Sequence, residues 1–411
     1  MTILTPLPTR LSPLHTLETP LEVSIVIPCL NEAETLEAVL RKANRAIAQH
    51  HLNAEIIVAD NGSNDGSQDI ATSLGAKVVE VPIRGYGAAL QAGIEEAQGA
   101  YIIMGDADDS YDFGEIYPFI VQLRGGVDLV MGCRLPQGGG QVMPGAMPWL
   151  HRWIGNPILS GLGRLFFGSP ITDFHCGLRA FSRNWYARQD IRSTGMEFAS
   201  EMVMKATLHA ARITEIPITL HKDGRSRPPH LRTWRDGWRH LRFMLLYSPR
   251  WLFLIPGIMA FTVGLIFTIT LTLMPLHIFS ITLDTNTLLL SCMMMLMGFN
   301  LLTFSIFSKT FAILNGFLPS DRLTEIFWKK FSLELGLIIG SILCVFGTLL
   351  IGYAVWTWAQ LGFGPLPYPD SQKMVIPGTT FFILGIETTF SSFLLSLFLI
   401  PQKNEKKMTT I

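Results

Sequence analysis

Four stretches in the second half of this 411-residue chain are long and apolar enough to cross a bilayer: Trp251 to Met274, Thr287 to Phe307, Leu335 to Leu361 and Val375 to Ile400. Each reaches the roughly 20 apolar residues that a spanning helix needs. A chain so built must divide between two solvents. Its 32 basic and 32 acidic residues cancel overall, yet most of them lie in the first 250 residues. Arg242 and Arg250 precede the first stretch, Lys309, Arg322, Lys329 and Lys330 lie between the second and third, and Lys403, Lys406 and Lys407 follow the fourth. The segment from Pro275 to Asn286 has no Lys or Arg and the last outer loop has only Lys373. The positive-inside rule therefore predicts both termini and the charged half on the cytoplasmic side. This describes an integral protein of a bacterial-type plasma membrane.

The opening MTILTPLPTRLSPLHTLETP has neither a charged n-region nor an apolar h-region, so residues 1–21 read as a flexible arm rather than a signal peptide. Cys29, Cys133, Cys176, Cys292 and Cys344 are odd in number and lack CxxC spacing, which argues against a disulfide framework or a zinc site. The expected organisation is a cytosolic domain over 22–229, an amphipathic juxtamembrane helix over 230–250, a four-helix membrane domain over 251–400 and a cytosolic tail over 401–411. Four spans allow a homo-oligomer without requiring one, and no nucleic-acid partner is expected.

Within the first 250 residues, short β-rich runs alternate with helical patterns: VSIVIP (23–28), EIIVAD (55–60), AKVVEVP (76–82), YIIMG (101–105) and DLVMG (128–132). Such alternation predicts an α/β fold with a mostly parallel, Rossmann-like sheet covered by helices. Ligands of such sheets bind beyond the carboxyl ends of the strands. Three polar clusters fall there: Pro28 to Glu32, Asp60 to Gly66 and Asp106 to Asp109.

Two further stretches read as helices. LRTWRDGWRHLRFMLL (231–246) sets Arg232, Arg235, Arg239 and Arg242 on one stripe beside Trp234, Trp238, Leu241 and Leu245, as expected of a helix lying among lipid headgroups. PWLHRWIGNPILSGLGRLFFG (148–168) is either a core helix pair or a second membrane-surface element.

After the first strand, Asn31 can cap a helix beginning at Glu32. The second strand ends in Asp60, followed by the glycine-rich turn NGSNDGS with Asp65 inside it. A carboxylate held there can accept hydrogen bonds from a base or ribose, or simply form an Asx-turn. RGYGAALQAG opens the next helix at Arg84 and Gly85, where small residues admit a ligand close to the backbone. The run GDADDSYDFGE then gathers Asp106, Asp108, Asp109, Asp112 and Glu115 where a buried strand should end. Clustered carboxylates repel, and Asp106 with Asp108 can each offer oxygen to a hard cation such as Mg²⁺ or Mn²⁺ that bridges to substrate phosphates.

IVIPCLNEAETL, ADNGSNDGS, DADDS, DLVMGCRL and DFHCGLRAFSR, in that order, resemble the family 2 glycosyltransferases of GT-A fold, and more narrowly the polyprenyl-phosphate, dolichol-phosphate mannose synthase-like branch. The resemblance spans roughly residues 22–250. It implies that Pro28, Asn31, Glu32, Asp60, Asp65, Arg84 and Gly85 bind the nucleotide with Asp106, and that Asp106 and Asp108 hold Mg²⁺ or Mn²⁺ on its diphosphate. It also implies that Arg134 in GCR and Arg179 in CGLR meet the acceptor phosphate, which an arginine fork suits. The family's juxtamembrane Arg-x-x-Gly-x-Ser-Lys corresponds here to HKDGRSR, with His221 in place of the arginine. Arg225 or Lys222 would supply the charge beside Ser226 and Arg227. Asn61 stands where the family commonly has a second aspartate.

The QxxRW motif of related polysaccharide synthases does not occur, which favours one sugar per acceptor. The expected activity is inverting transfer of one hexose from a UDP- or GDP-sugar to a polyprenyl phosphate, with Asp108, Arg134 and Arg179 as the catalytic set. A phosphate acceptor is already anionic and needs positioning more than a general base. A diacylglycerol acceptor or a non-catalytic, lipid-translocating scaffold are the alternatives. Glu197 and Glu201, one helical turn apart, either contact sugar hydroxyls or form a solvated stripe. Glu387 falls mid-span, where a carboxylate is costly; a neutral group hydrogen-bonded in the bundle beside Thr379, Thr380, Thr388 and Thr389 is the expected state.

Overall fold

The computed structural model describes residues 20–226, 233–365 and 368–400. Arg227, Arg232, the N-terminal arm through residue 19 and the tail from residue 401, with its three lysines, lie outside the described residues. The chain falls into two compact units, one running to His240 and the other starting at Leu241.

The first unit is built on strands β1 (Val23–Cys29), β2 (Ala54–Asp60), β3 (Lys77–Glu80), β4 (Tyr101–Met104) and β5 (Leu129–Cys133). The two-residue β6 (Gln141–Val142) precedes β7 (Arg179–Ser182), β8 (Ile213–Pro217) and the two-residue β9 (Thr219–Leu220). Seven of these form one sheet in the order β3-β2-β1-β4-β7-β5-β8, and β6 pairs with β9 in a small parallel sheet. The large sheet is parallel except for β7, which runs antiparallel to β4 and β5. β1 is apolar on both faces and pairs with β2 on one side and β4 on the other. The strand order reverses there, and the crevice above such a point is where open α/β sheets bind ligands. β7 escapes sequence reading because four residues between a Gly-Cys loop and a helix carry too short a period.

Helices α1 (Ala33–Gln49), α2 (Ser67–Ser73), α3 (Tyr86–Glu95) and α4 (Tyr117–Arg124) follow the strands, with α5 (Asn156–Phe167), α6 (Arg183–Ala187) and α7 (Phe198–Leu208) further on. Ile25, Ile27, Ile57, Phe113, Phe119, Phe174, Phe181 and Phe198 are fully buried between these layers. Burying a side chain of that size stabilises by about 1.5–3 kcal/mol, so the core positions the strand ends firmly. Around α5, Trp149, Trp153, Ile158 and Leu165 are exposed, which rules out the core-helix reading of 148–168. In α8 (Thr233–Leu246), Trp234 and Trp238 are exposed as expected, whereas His240 turns inward and its Nδ1 meets Ser200 Oγ at 2.8 Å.

Among the described residues the second unit contains four helices long and apolar enough to cross a membrane: Arg250–Leu273, Thr285–Leu314, Leu333–Gln360 and Asp370–Phe398. They correspond to α9 (Ile255–Leu273) with the turn before it, α10 (Thr285–Leu314), α12 (Leu333–Gln360) and α13 (Tyr368–Phe398). A hairpin of β10 (Leu276–Ile278) and β11 (Ile281–Leu283) joins the first pair, and α11 (Arg322–Lys330), capped by Asp321, lies between the second and third spans. Helices associate in lipid by close backbone approach. A methyl group on Gly264 of α9 would lie 2.6 Å from the Met295 nitrogen of α10, and one on Gly347 of α12 would lie 2.5 Å from the Gly378 oxygen of α13. Asn300 Nδ2 on α10 donates to Glu387 Oε1 on α13 at 3.2 Å. The four threonines expected around Glu387 instead donate to carbonyls one turn back in their own helix.

Candidate active site

The loops after β1, β2 and β4 converge above the reversal point. Asn31 does not cap α1, which begins at Ala33 with Glu32 before it. Its φ of 57° is left-handed, a conformation asparagine tolerates, and this turns Asn31 Oδ1 to accept from Asn64 N at 2.9 Å. The helix start is capped from another loop: Asp65 Oδ2 accepts from Ala33 N at 2.9 Å, while Asp65 Oδ1 accepts from Ser67 N and Oγ. Pro28 is half-buried at the end of β1, opposite Ala59.

Asp60, almost wholly buried, accepts at Oδ2 from Gly62 N, Ser63 N and Gln68 Nε2. Burial opposes its ionisation, but hydrogen bonds led by Ser63 and Gln68 win and hold the carboxyl below its ordinary value. Its Oδ1 is buried without a partner, an acceptor waiting for a donor. Asn61, where a second aspartate was expected, is a joint: Nδ2 donates to Val81 O and Ile83 O, and Oδ1 accepts from Gly85 N at 2.7 Å. Gly85 has φ 150°, and a Cβ there would overlap the Thr194 carbonyl. The small residues opening α3 therefore admit the 190–195 segment. Arg84 beside them is exposed.

The four aspartates of the acidic run each have a partner of their own. Asp109 pairs with Lys42 Nζ at 2.8 Å, and Asp112 caps a short turn through Gly114 N. Asp106 Oδ1 accepts from Tyr86 OH at 2.9 Å, a partner the sequence did not announce because it lies 20 residues upstream. Asp108 Oδ1 accepts from Ser110 N and Oγ, and its Oδ2 lies 2.5 Å from Arg225 Nη2. Burial pushes the Asp106 carboxyl up to about 7, with the Asp108 charge adding to the rise. Two such oxygen donors fit a hard cation that takes its other ligands from a diphosphate and water. Among the described residues no cluster of three or more ligating side chains exists, so the pair does not form a complete cage by itself.

The arginines sort by burial. Arg179 is fully buried and donates from Nε to Cys176 O at 2.7 Å, from Nη2 to Phe174 O, and from Nη1 to Ala199 O. Three backbone carbonyls occupy its guanidinium, which is not presented to an acceptor lipid as expected. Arg134 gives Nε and Nη2 to Asp173, and its Nη1 lies 3.4 Å from Tyr111 OH. Arg225 bridges Asp108, Glu32 (3.1 Å) and Asp223 (3.4 Å). Ser226 N and Oγ donate to Glu34. Glu201 is buried, paired with Lys205 at 3.0 Å and accepting from Arg192 N and Ser193 N. It anchors the 190–195 segment and does not face solvent, one helical turn on from Glu197, whose carbonyl accepts from Glu201 N at 2.8 Å.

A family model described as Glycosyl transferase family 2 matches residues 24–188, and one described as Glycosyltransferase family 2 C-terminal transmembrane region matches residues 306–399. A low-salt glycan biosynthesis hexosyltransferase from Haloferax volcanii is 36% identical over 375 residues, covering 91% of this chain and 88% of that protein. A dolichyl-phosphate hexose transferase from the same organism is 28% identical over 48% of this chain and 82% of its own length. An undecaprenyl-phosphate 4-deoxy-4-formamido-L-arabinose transferase from Pseudomonas fluorescens is 36% identical over 39% of this chain and 47% of its own length.

Proposed function

Because the chain belongs to glycosyltransferase family 2, we propose that it transfers one hexose from a UDP- or GDP-linked donor to a polyprenyl phosphate at the cytoplasmic face of the membrane. The observation that carries this reading is the convergence of Glu32, Asp60, Asp106 and Asp108 where the strand order reverses, with Asp106 raised to about 7 beside a second carboxylate. That pair suits a cation-bridged diphosphate. The acceptor class is taken from the dolichyl- and undecaprenyl-phosphate relatives.

Asp60 Oδ1 accepts from the base or ribose, and Pro28, Asn31, Asp65, Arg84 and Gly85 shape the nucleotide's bed. Asp106 and Asp108 would hold Mg²⁺ or Mn²⁺, and the ion would supply positive charge against that gathering on the departing diphosphate. Arg225, Ser226 and Arg227, with Nη1 of Arg134, position the acceptor phosphate, while Arg179 braces the loop beneath. An acceptor oxygen forms the new bond to the anomeric carbon as the bond to diphosphate breaks, the electron pair leaving with the diphosphate; such direct displacement inverts the centre. Because the acceptor arrives ionised, no residue needs to take its proton.

The test offers radiolabelled UDP- and GDP-hexoses to purified protein with undecaprenyl or dolichyl phosphate and Mn²⁺. One labelled lipid is expected. Label appearing in diacylglycerol and not in polyprenyl phosphate would overturn the acceptor.

A further inference from the structure

The segment from His221 to Ser226 lies across the acidic run as a strap. It leaves β9 and is tied to that run by its backbone, His221 N donating to Ser110 O at 2.9 Å and Gly224 N to Asp108 O at 3.0 Å. Ser226 fixes its far end on Glu34 of α1. Arg225, between these ties, has a side chain only 10% exposed and puts its two terminal nitrogens on Asp108 Oδ2 and Glu32 Oε1. Asp108 Oδ1 is already taken by Ser110, so Oδ2 is the oxygen left for a charged partner. An inorganic cation and a guanidinium compete for it, since like charges about 4 Å apart repel in a partly buried site. Arginine does not lose its proton at any accessible pH, so deprotonation offers no relief and the competition favours displacement of the guanidinium.

We propose that Arg225 is a stand-in cation: it reserves Asp108 and Glu32 while the crevice is empty, and is displaced when the divalent cation arrives with the nucleotide sugar. The freed guanidinium then becomes the ligand of the acceptor phosphate. One residue thus couples the two substrates and sets their order, donor before acceptor. The inference rests on the assignment of Asp108 to the metal made above. It predicts that the acceptor phosphate is held weakly until the donor is seated, because until then its arginine is engaged elsewhere.

The experiment measures Mn²⁺ binding to the full-length protein in nanodiscs by electron paramagnetic resonance, without nucleotide. Arg225→Met should bind Mn²⁺ about tenfold more tightly than the wild type, the neutral side chain removing a competing charge. Arg225→Lys, which keeps the charge, should stay near the wild type. Ser226→Ala, which loosens the strap without touching the charge, should tighten Mn²⁺ by a smaller factor. In parallel, a short-chain polyprenyl phosphate should bind the wild type only when Mn²⁺ and nucleoside diphosphate are present, and Arg225→Met poorly in either state. Unchanged or weaker Mn²⁺ binding by Arg225→Met would overturn the stand-in role. Asp108→Asn separates the two levels: if it binds Mn²⁺ as the wild type does, the metal assignment fails. If it loses Mn²⁺ while Arg225→Met is unchanged, only the stand-in role fails.

Discussion

Arg134 and Asp173 meet along two parallel hydrogen bonds, Nε to Oδ2 at 2.7 Å and Nη2 to Oδ1 at 2.8 Å, with both side chains buried. The Arg134 backbone nitrogen adds a third bond to Oδ2. Removing one partner of such a pair strands a charge in a poorly solvated site, which costs about 3–5 kcal/mol. Asp173→Ala should therefore lower Tm sharply in a detergent melt.

The same pair carries a pH dependence. Burial acts to raise the Asp173 carboxyl, but the charge and hydrogen bonds of Arg134 outweigh it and hold the value below that of a free carboxylate. A depressed carboxyl stabilises the fold above its unfolded pKa, and that contribution is lost as pH falls through the folded value. The wild type should lose stability below about pH 4 more steeply than Asp173→Asn, which has no proton to take up. Parallel acid melts of the two proteins check this.

Asp106 has the opposite sign. Its carboxyl lies at about 7 in the ligand-free fold against 3.8 in an unfolded chain, so between those values the native state binds more protons. Stability then falls as pH rises through that window. Asp106→Asn should remove this slope, leaving the metal-free variant more stable than the wild type at pH 8 and little different at pH 4. A Tm difference that does not grow with pH would contradict the burial of Asp106 and its crowding by Asp108.

Arg179 gives a prediction about architecture. Arg179→Met removes a donor from the carbonyls of Cys176, Phe174 and Ala199, the last of which lies in α7, and a buried carbonyl left unsatisfied costs about 1–3 kcal/mol. Activity should fall with the folded fraction while KM for the lipid acceptor in the surviving protein stays near the wild type. A normal Tm with a raised acceptor KM would instead assign Arg179 to the phosphate.

Within the membrane unit, Glu387→Gln should be tolerated because a neutral amide still pairs with Asn300. Asn300→Leu should cost about 0.6–2 kcal/mol, the range of hydrogen bonds between spanning helices. Loss of activity in Glu387→Gln without loss of Tm would show that an ionised carboxylate is needed there.

Periodic features were legible before any coordinates. The alternating strands, the four apolar windows and the polar clusters at strand ends follow from local composition, and the structure places them as read. What escaped depends on distance along the chain. Asp65 caps α1 from 32 residues away, Tyr86 reaches Asp106, and Arg225 reaches Glu32 across 193 residues. No local pattern encodes such pairings. Burial misled in the same way: CGLR looks like an exposed phosphate fork, yet β7 carries Arg179 into the sheet between β4 and β5, where only carbonyls await it.

The most direct measurement is transfer of labelled hexose to polyprenyl phosphate by Asp108→Asn beside the wild type, each with Mn²⁺ and with excess EDTA. Loss of one electrostatic stabiliser of this kind costs about 10²–10³ in rate. The account predicts a fall of that order for Asp108→Asn with Mn²⁺, and a wild type that EDTA silences and Mn²⁺ restores. Full transfer by Asp108→Asn, or a wild type indifferent to EDTA, would contradict it.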